Sequence, residues 1–393
     1  MSAPAWLPKA PPLPRPTGPV IRVATVDELF RAADAVKPGG TILVADGHYA
    51  MPRYFELRTD RVTLRGESGR RDKVVLDGGT NRHGELLGIT GCSGVTIADL
   101  TVQNARTNAI KINSDRFTTA VTVYNCVIRN AWQRGVKGPA VRPADRDKFR
   151  PTDCRIQHCL FYNDRPKRYA DDPDDNAGNF GGNYVGGIDA MYARRWTISD
   201  NVFRGIKGRT GEGRGAVFLW QFAEECVVER NVIVDCDSGI CLGNGHKPAD
   251  VAAHCTGCVV RNNVLARCPE QGILAHHTKD CRIVHNTVHD PTARFKRLIR
   301  IVGGAEGLTV VNNLLSGPPI RVETTDKITS RGNVEREMAG AFVDVAAGDL
   351  HLRAAAPGVT DAGESVADAP ADFDGRRRDA RPDIGAHEWA NKP

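Results

Sequence analysis

The feature that most constrains the fold is a short motif that recurs eight times between residues 97 and 315. Each copy places apolar residues three positions before and two positions after a central residue, as in WTISDNVF and CVVERNVI. The central residues are Leu100, Cys126, Cys159, Asn201, Asn231, Asn263, Asn286 and Asn313. Their spacing runs from 23 to 33 residues, except for one gap of 42 residues after Cys159. Short units that repeat at this period predict a solenoid, and the long gap predicts an insertion.

The residues within each copy favour β-strands. Apolar and other residues alternate in the short runs, and Pro, Gly, Asp and Asn fill the joints between them. We therefore predict an all-β fold, a right-handed parallel β-helix. The central asparagines are expected to adopt the left-handed αL backbone conformation and to hydrogen-bond to their equivalents in neighbouring coils. This ladder of asparagines is expected to be structural.

The chain divides into three parts around the repeat. They are a Pro-rich N-terminal segment at residues 1–19, the β-helix domain at residues 20–345, and a C-terminal cap or tail at residues 346–393. Thr25 and Glu28 form a capping box for an amphipathic helix that ends at KPGG and covers the open end of the core. In the tail, we expect Ile384 and Trp389 to pack on the last coil.

Eight of the eleven cysteines also fall at repeat positions, which predicts core residues rather than a disulfide framework. These eight are Cys126, Cys154, Cys159, Cys226, Cys236, Cys258, Cys268 and Cys281. Stacked coils bring equivalent Cα atoms to about 4.8 Å, which is within disulfide reach, so a disulfide between coils is the alternative.

Composition excludes several classes of protein. The net charge of +6 over 393 residues is too modest to indicate a nucleic-acid-binding protein, and no apolar run is long enough to cross a membrane. The N-terminus lacks the basic and apolar regions of a signal peptide. The many thiols favour a reducing compartment, whereas a trimmed start would allow export, so the localisation is left open. We expect a monomer without an organic cofactor.

The order of motifs resembles that of a known superfamily. After the capping helix come PGGTILVADGHY, RVTLRGE and VVLDGG, followed by coils such as WTISDNVF. Over residues 20–335 this order is similar to the pectate-lyase-like right-handed β-helix superfamily of bacteria. The tail ADFDGRRRDARPDIGAHEW resembles the closing segment of many bacterial β-helix proteins of uncertain activity. The resemblance implies the fold and a choice among polysaccharide lyases, glycoside hydrolases, uronate epimerases and adhesive proteins.

The second strand of successive coils predicts a row of charged side chains. Alignment on the leading Ile or Val places Lys111, Lys137 and Asp189 at the same outward position, about 4.8 Å apart per coil. Two residues further along, the outward row includes Trp220 and His276. Such a row could bind and deprotonate an acidic sugar. The alternative is that opposite charges stack on an exposed sheet face without further function.

Two further segments supply charges near this row. The Gly-rich turn before Trp220 carries a basic cluster, Arg204, Lys207, Arg209 and Arg214. The insertion after Cys159 carries an acidic run whose carboxylates, together with Asp189, could bind Ca²⁺. The predicted calcium ligands are Asp171, Asp172, Asp174, Asp175 and Asp189. For both segments the alternative is a solvated loop. The histidines between residues 276 and 289 show no spacing typical of a zinc site.

These residues favour a polysaccharide lyase that cleaves an acidic, uronic-acid polymer by β-elimination. Such an enzyme must neutralise the C6 carboxylate, remove the C5 proton and protonate the leaving oxygen. In the predicted site Lys137 or Lys111 is the base, Arg209 or Arg214 clamps the carboxylate, and Asp189 orients them or binds the metal. The expected substrate-binding residues are Arg204, Lys207, Trp220 and His276.

The same scaffold supports other functions. A uronate C5-epimerase would use the same groups but return the proton to the other face of the sugar. A glycoside hydrolase needs two carboxylates at a defined separation, and the outward row offers only Asp189. A non-catalytic carbohydrate-binding or adhesive protein would use the long groove without turnover.

Overall fold

Three parallel β-sheets wind around a common core in the computed structural model of the protein, which describes residues 4–79 and 83–389. Each coil contributes one strand to each sheet, and equivalent strands of successive coils pair in parallel. This arrangement confirms the predicted all-β class and the parallel β-helix.

The strands of each sheet follow one another in coil order. Sheet 1 consists of Val20–Val23, Thr41–Val44, Thr63–Gly66, Thr96–Ala98, Thr122–Tyr124, Arg155–Gln157, Thr197–Ser199, Val227–Glu229, Val259–Arg261, Arg282–Val284, Thr309–Val311 and Thr329–Arg331. Sheet 2 consists of Gly47–Ala50, Val74–Asp77, Thr101–Ala105, Val127–Ala131, Leu160–Tyr162, Val202–Arg204, Val232–Val234, Val264–Ala266, Thr287–His289, Leu314–Ser316 and Val334–Glu335. Sheet 3 consists of Phe55–Leu57, Leu87–Thr90, Asn108–Asn113, Arg134–Gly138, Gly186–Met191, Val217–Trp220, Ser238–Leu242, Gln271–Lys279, Ile299–Glu306 and Ile320–Glu323, with the short strands Ala223–Glu224 and Cys255–Thr256 beside Gln271–Lys279.

Helices are short and lie outside the coils. The α-helices are Val26–Ala35 and Arg146–Phe149, and the 3₁₀ helices are Ser114–Arg116, Pro143–Asp145, Tyr169–Asp171, Phe180–Gly182 and Ala339–Ala341. Within the described residues, none of these helices has the length and apolar character needed to cross a membrane. An antiparallel pair of strands, Phe342–Asp344 and Asp349–Leu352, spans the boundary between the β-helix domain and the tail.

The N-terminal helix caps the core as predicted. The Glu28 N–H donates to Thr25 Oγ1 at 3.2 Å, and the Thr25 N–H donates to the Glu28 carboxylate at 3.2 Å, which completes the capping box. Leu29 of the helix is buried in the core of the first coils. A strand that the sequence pattern did not predict, Val20–Val23, precedes the helix and pairs with Thr41–Val44, so sheet 1 begins one strand earlier than expected.

Stacked apolar side chains and thiols fill the interior of the coils. Ile97, Val123 and Ile156 occupy equivalent positions in sheet 1 and are fully buried. Burying such a side chain contributes about 1.5–3 kcal/mol to the free energy of unfolding. All eleven cysteines are buried and free. The eight cysteines at repeat positions belong to the central core, which confirms their prediction as core residues, and the disulfide alternative is not observed.

A ladder of buried asparagines runs between sheets 1 and 2. Asn201 Nδ2 donates to Asn231 Oδ1 at 3.0 Å, and Asn231 Nδ2 donates in the same way to Asn263 Oδ1, a pattern that continues to Asn333. These bonds confirm the predicted ladder, but the αL conformation predicted for its asparagines is wrong. The residue before each ladder position, such as Arg230 with φ 49°, adopts that conformation instead. The chain turns at this preceding residue, so that the asparagine side chain points into the coil.

The tail runs back along the outside of the β-helix. Outward-facing residues of sheet 2, such as Val232, Val264 and Leu314, form an apolar cluster with Phe342, which lies just before the tail, and Ile384 of the tail. Backbone N–H groups of the tail donate hydrogen bonds to two successive coils. Ile384 therefore covers an apolar strip across several coils rather than the last coil alone.

Candidate active site

Sheet 3 brings the predicted charged row into register. Lys111 lies beside Lys137, and Lys137 lies beside Asp189, in the parallel pairing of neighbouring strands. The expectation that the row is exposed is wrong. Asp189 is fully buried and Lys137 is 8% exposed, because the segment that follows the strand of Lys137 and the loop that precedes the strand of Asp189 fold over the sheet.

Asp189 is the centre of a buried cluster. Its Oδ2 accepts a hydrogen bond from Arg134 Nε at 2.5 Å, and its Oδ1 accepts bonds from Lys137 Nζ at 2.9 Å and Trp220 Nε1 at 3.0 Å. We call these four residues the Asp189 cluster. Burial alone would raise the pKa of Asp189, but the positive charges of Lys137 and Arg134 outweigh it and lower the pKa to about 2. Asp189 is therefore ionised at neutral pH, and two cations face a single carboxylate.

Arg134 was not predicted as a site residue. Strand alternation places it on the same side as the core residue Val136, but its side chain turns outwards at the start of the strand. There its guanidinium lies 3.8 Å from the centre of the Tyr184 ring, and the residue is 1% exposed. Its neighbour in register is Gly186, where a Cβ atom would lie 2.9 Å from the Gly215 carbonyl oxygen but in ordinary contact with Arg134.

A buried lysine organises the inserted loop, residues 163–185. Lys167 is 1% exposed, and its Nζ lies 3.0 Å from Asp172 and 2.6 Å from Asp175. Asp172 also accepts a hydrogen bond from Gln133 Nε2 at 2.8 Å. Because Gln133 precedes Arg134 in the chain, this bond fastens the inserted loop next to the Asp189 cluster.

The predicted calcium ligands are already paired with cations. The pairs are Asp171 with Arg165, Asp172 and Asp175 with Lys167, and Asp189 with Arg134 and Lys137. Asp174 is exposed. Across the part of the chain that the structure describes, no three of these carboxylates bring oxygen atoms within 4.8 Å of one another. Ca²⁺ requires about six to eight oxygen ligands, so these residues do not fit a calcium site.

Two arginines of the predicted basic cluster contact the inserted loop. The guanidinium of Arg214 lies 5.8 Å from the centre of the Phe180 ring. Loss of hydration, together with the positive charge of Arg134, lowers the pKa of Arg214. This electrostatic coupling places Arg214 at the edge of the Asp189 cluster. Arg209 is exposed and stacks on Tyr169, with 4.6 Å between the guanidinium and the ring centre.

The other two members of that cluster, Arg204 and Lys207, are not brought to this site. Arg204 ends a strand of sheet 2. Both side chains act on Asp235 instead. Burial alone would raise the pKa of Asp235, but the positive charges of Arg267, which contributes most, and of Lys207 and Arg204 lower it. The Gly-rich turn carries the chain from sheet 2 to sheet 3, and only its second half reaches the Asp189 cluster. The prediction that Arg204 and Lys207 bind substrate there is corrected accordingly.

Lys111 lies beside the cluster, and Trp220 forms one side of it. Lys111 Nζ forms an ion pair with Glu85 at 2.8 Å rather than with Asp189. The Trp220 indole is half-buried and stacked on Phe218, with ring centres 5.0 Å apart. One face of the indole is therefore covered by Phe218, and its N–H bond to Asp189 fixes the ring.

His276 lies three strands from Asp189 along sheet 3, a separation of about 14 Å at 4.8 Å per strand. Burial and the nearby His277 lower the pKa of His276 to about 4. A neutral imidazole at this distance cannot contact the Asp189 cluster, so its predicted role is limited to a remote part of the groove.

A cavity of about 230 Å³ continues the site along sheet 3. Arg214, Phe218 and Glu270 are among its lining residues. Asp237 fixes the Gly-rich turn at its rim by accepting two backbone hydrogen bonds at 2.7 and 2.9 Å. The lining joins one arginine and an apolar ring to two carboxylates, Glu212 and Glu270, so an anionic group would be held at Arg214, beside the Asp189 cluster.

Comparison with known proteins supports the architecture. A family model described as right handed beta helix region matches residues 85–315, which is more than half of the chain. An alginate lyase from Paenibacillus sp. str. FPU-7 superposes with a TM-score of 0.54 and 17% identity over 81% of this chain and 99% of that chain. The pectate lyase Pel9A superposes with a TM-score of 0.55 and 13% identity over 92% of this chain and 90% of that chain. No curated protein sequence matches. At these identities the likeness concerns the fold.

Proposed function

The chain belongs to the right-handed β-helix family, and we propose that its Asp189 cluster is the active site of a lyase that cleaves an acidic polysaccharide. One observation carries the proposal: a fully buried carboxylate is shared by two cations, and a third cation lies at the edge. Positive charge in excess of the local carboxylate attracts an anionic ligand. One cation is enough to balance the charge of Asp189, so charge pairing alone does not explain the presence of a second cation.

The proposed substrate is a uronic-acid polymer bound along sheet 3. Arg214 is exposed and binds the C6 carboxylate of the sugar. Neutralising this carboxylate makes the C5 proton more acidic. Neighbouring sugars occupy the cavity beside Phe218.

Lys137 is the proposed proton-transfer group. Its side chain is 10% exposed, whereas that of Arg134 is 1% exposed, so only Lys137 reaches the edge of the cluster. In the reacting form, in which Lys137 is neutral, Arg134 still balances Asp189, and the excess positive charge that holds the substrate is that of Arg214. In the neutral form it takes the C5 proton and passes it to the leaving oxygen at C4, and a C4–C5 double bond remains. Asp189 and Trp220 position the amine.

The solved structures support this choice among the functions of the fold. Two proteins with the same architecture are an alginate lyase and a pectate lyase. Both names denote lyases of acidic polysaccharides. The site argues against a glycoside hydrolase, because Asp189 is buried, ion-paired and has a pKa of about 2, and such a carboxylate cannot protonate a leaving group.

A uronate C5-epimerase is the second candidate, and the same cationic cluster favours it. An epimerase would also remove the C5 proton but would return a proton to the opposite face without breaking the chain. Solvent deuterium incorporated at C5 without unsaturated products would identify this activity.

The proposal is tested with alginate, polygalacturonate and a neutral glucan as substrates. The ultraviolet absorbance of unsaturated sugar is followed for the wild type, Lys137→Met and Lys279→Met. Lys279 is an exposed lysine of the same sheet, paired with Glu306, and serves as the matched control. We expect turnover of at least one acidic polymer, a loss of about 100-fold or more in Lys137→Met, and an unchanged rate in Lys279→Met. The lyase proposal fails if no acidic polymer yields unsaturated product or if Lys137→Met keeps the wild-type rate.

A further inference from the structure

Two histidines and an aspartate from separate segments of the tail meet on the outside of the β-helix. His351 lies in the strand Asp349–Leu352, whereas Asp374 and His387 come from later turns. Each contributes one potential ligand atom, and the three atoms lie within 4.8 Å of one another. Within residues 4–79 and 83–389, this is the one group of three or more such residues that meets this distance.

The contacts of His351 resemble those of a metal-binding histidine. Its Nδ1 lies 2.6 Å from Asp349 Oδ1, and its Nε2 lies 3.1 Å from Asp374 Oδ2. A carboxylate on one imidazole nitrogen orients the ring and leaves the other nitrogen for a metal. The 3.1 Å between His351 Nε2 and Asp374 Oδ2 is short enough for both atoms to bind the same ion.

His387 supplies an independent observation. It is 6% exposed, its ring centre lies 3.6 Å from that of His351, and its Nε2 has no hydrogen-bond partner among the described residues. Burying a polar nitrogen without a partner costs about 1–3 kcal/mol.

An open cavity of about 650 Å³ adjoins the three side chains. Trp6 and Phe373 line it with His351 and His387. Trp6 from the N-terminal segment packs edge-on against His351, with ring centres 5.4 Å apart. The cavity provides room for water as a further ligand.

We propose that His351, Asp374 and His387 bind a Zn²⁺ ion on the outside of the β-helix. Two imidazole nitrogens and one carboxylate oxygen are a ligand set that zinc accepts, with a fourth position left for water. The ion would tie the strand that carries His351 to the last residues of the tail, which otherwise adhere through the apolar strip of sheet 2.

A competing state exists without metal. A proton between His351 Nε2 and Asp374 Oδ2 would make their 3.1 Å contact a hydrogen bond. Zn²⁺ would have to displace this proton, so measuring the metal content separates the two states.

The test uses the full-length chain without a polyhistidine tag, stripped with a chelator and dialysed against ZnCl₂. Metal content is measured for the wild type, His387→Gln, Asp374→Asn and the control His246→Gln. His246 is exposed and lies in a turn outside the group of three. We expect one zinc per chain in the wild type and in His246→Gln, and none in the other two. The Tm of the wild type should rise with zinc concentration, since the ion binds the folded chain.

Two outcomes would overturn the proposal. One is the absence of saturable, one-to-one binding in the wild type. The other is retention of that zinc in His387→Gln or Asp374→Asn. Because His387 is buried, His387→Gln is checked by circular dichroism. If it does not fold, Asp374→Asn decides, since Asp374 is exposed and its replacement is tolerated more easily. Loss of the visible absorption of bound Co²⁺ in the same variant provides a second measurement.

Discussion

The asparagine ladder and the Asp189 cluster both bury polar side chains, but they do so in different ways. In the ladder, neutral amides from Asn201 to Asn333 each bond to the next at 2.9–3.0 Å, and each also bonds to a backbone carbonyl. In the cluster, three charged side chains meet at one place on sheet 3, and Arg134 Nη2 has no hydrogen-bond partner among the described residues.

The difference concerns the cost of burial. A satisfied amide pair costs little to bury and is repeated in coil after coil, as expected of a structural element. Burying charges costs several kcal/mol per ion, and a buried ion pair is often no more stable than apolar residues of the same volume. The ladder therefore explains the fold, whereas the cluster calls for a functional explanation.

Replacing the central carboxylate should produce the largest effect. Asp189→Asn leaves Arg134 and Lys137 buried without their counter-charge, and we expect the free energy of unfolding to fall by about 3–5 kcal/mol. Urea denaturation followed by circular dichroism measures the change. A decrease of less than about 1 kcal/mol would show that the cluster is not a coupled unit.

Acid should weaken the cluster but not the ladder. The pKa of Asp189 is lowered from 3.8 to about 2 on folding. The contribution of Asp189 to the free energy of unfolding is therefore fully present above about pH 4. It is lost as the pH falls towards 2, and the loss amounts to roughly 2–3 kcal/mol. The difference between wild type and Asp189→Asn in free energy of unfolding should shrink over this range. A constant difference from pH 5 to pH 2 would contradict the assigned charge state.

Interrupting the ladder should have a moderate effect on stability. Asn263 bonds to Asn231, Asn286 and two backbone carbonyls, so Asn263→Ala leaves several buried groups unpaired. We expect a loss of about 1–3 kcal/mol in the free energy of unfolding. Asn333→Ala is the matched control, because Asn333 is half-buried at the end of the ladder and should cost less. Equal losses would indicate that position within the ladder does not matter.

The smallest change in stability is expected for Lys137→Met. Asp189 keeps its bonds to Arg134 and Trp220, and the methionine fills the space of the lysine stem. The free energy of unfolding should change by no more than about 1 kcal/mol. If urea denaturation shows that the free energy of unfolding falls by more than about 3 kcal/mol, Lys137 has a structural role, as the asparagines of the ladder have.

The repeat made the fold and the register of the charged row predictable. Strand alternation and the repeat alignment fix which residues of successive coils are neighbours, so Lys111, Lys137 and Asp189 were placed correctly in sheet 3. The same rules placed the cysteines in the core. Periodic features of this kind follow from local pattern alone.

The burial of the row was not predictable, because it depends on contacts without a period. The inserted loop folds over the cluster through Lys167 and its two aspartates, and no spacing rule pairs them. Arg134 breaks the strand alternation that otherwise indicates direction. The acidic run of the loop therefore predicted calcium ligands, whereas in the structure these aspartates form ion pairs with a lysine and an arginine of the same loop.

The most direct test of the central claim compares Lys137→Met and Asn263→Ala in two measurements, kcat/KM on the acidic polymer that the wild type cleaves and the free energy of unfolding in urea. We predict that Lys137→Met loses about 100-fold or more in kcat/KM with nearly unchanged stability, whereas Asn263→Ala loses stability but keeps its kcat/KM at temperatures where it is folded. A Lys137→Met variant that retains the wild-type kcat/KM would contradict the assignment of the Asp189 cluster as the active site.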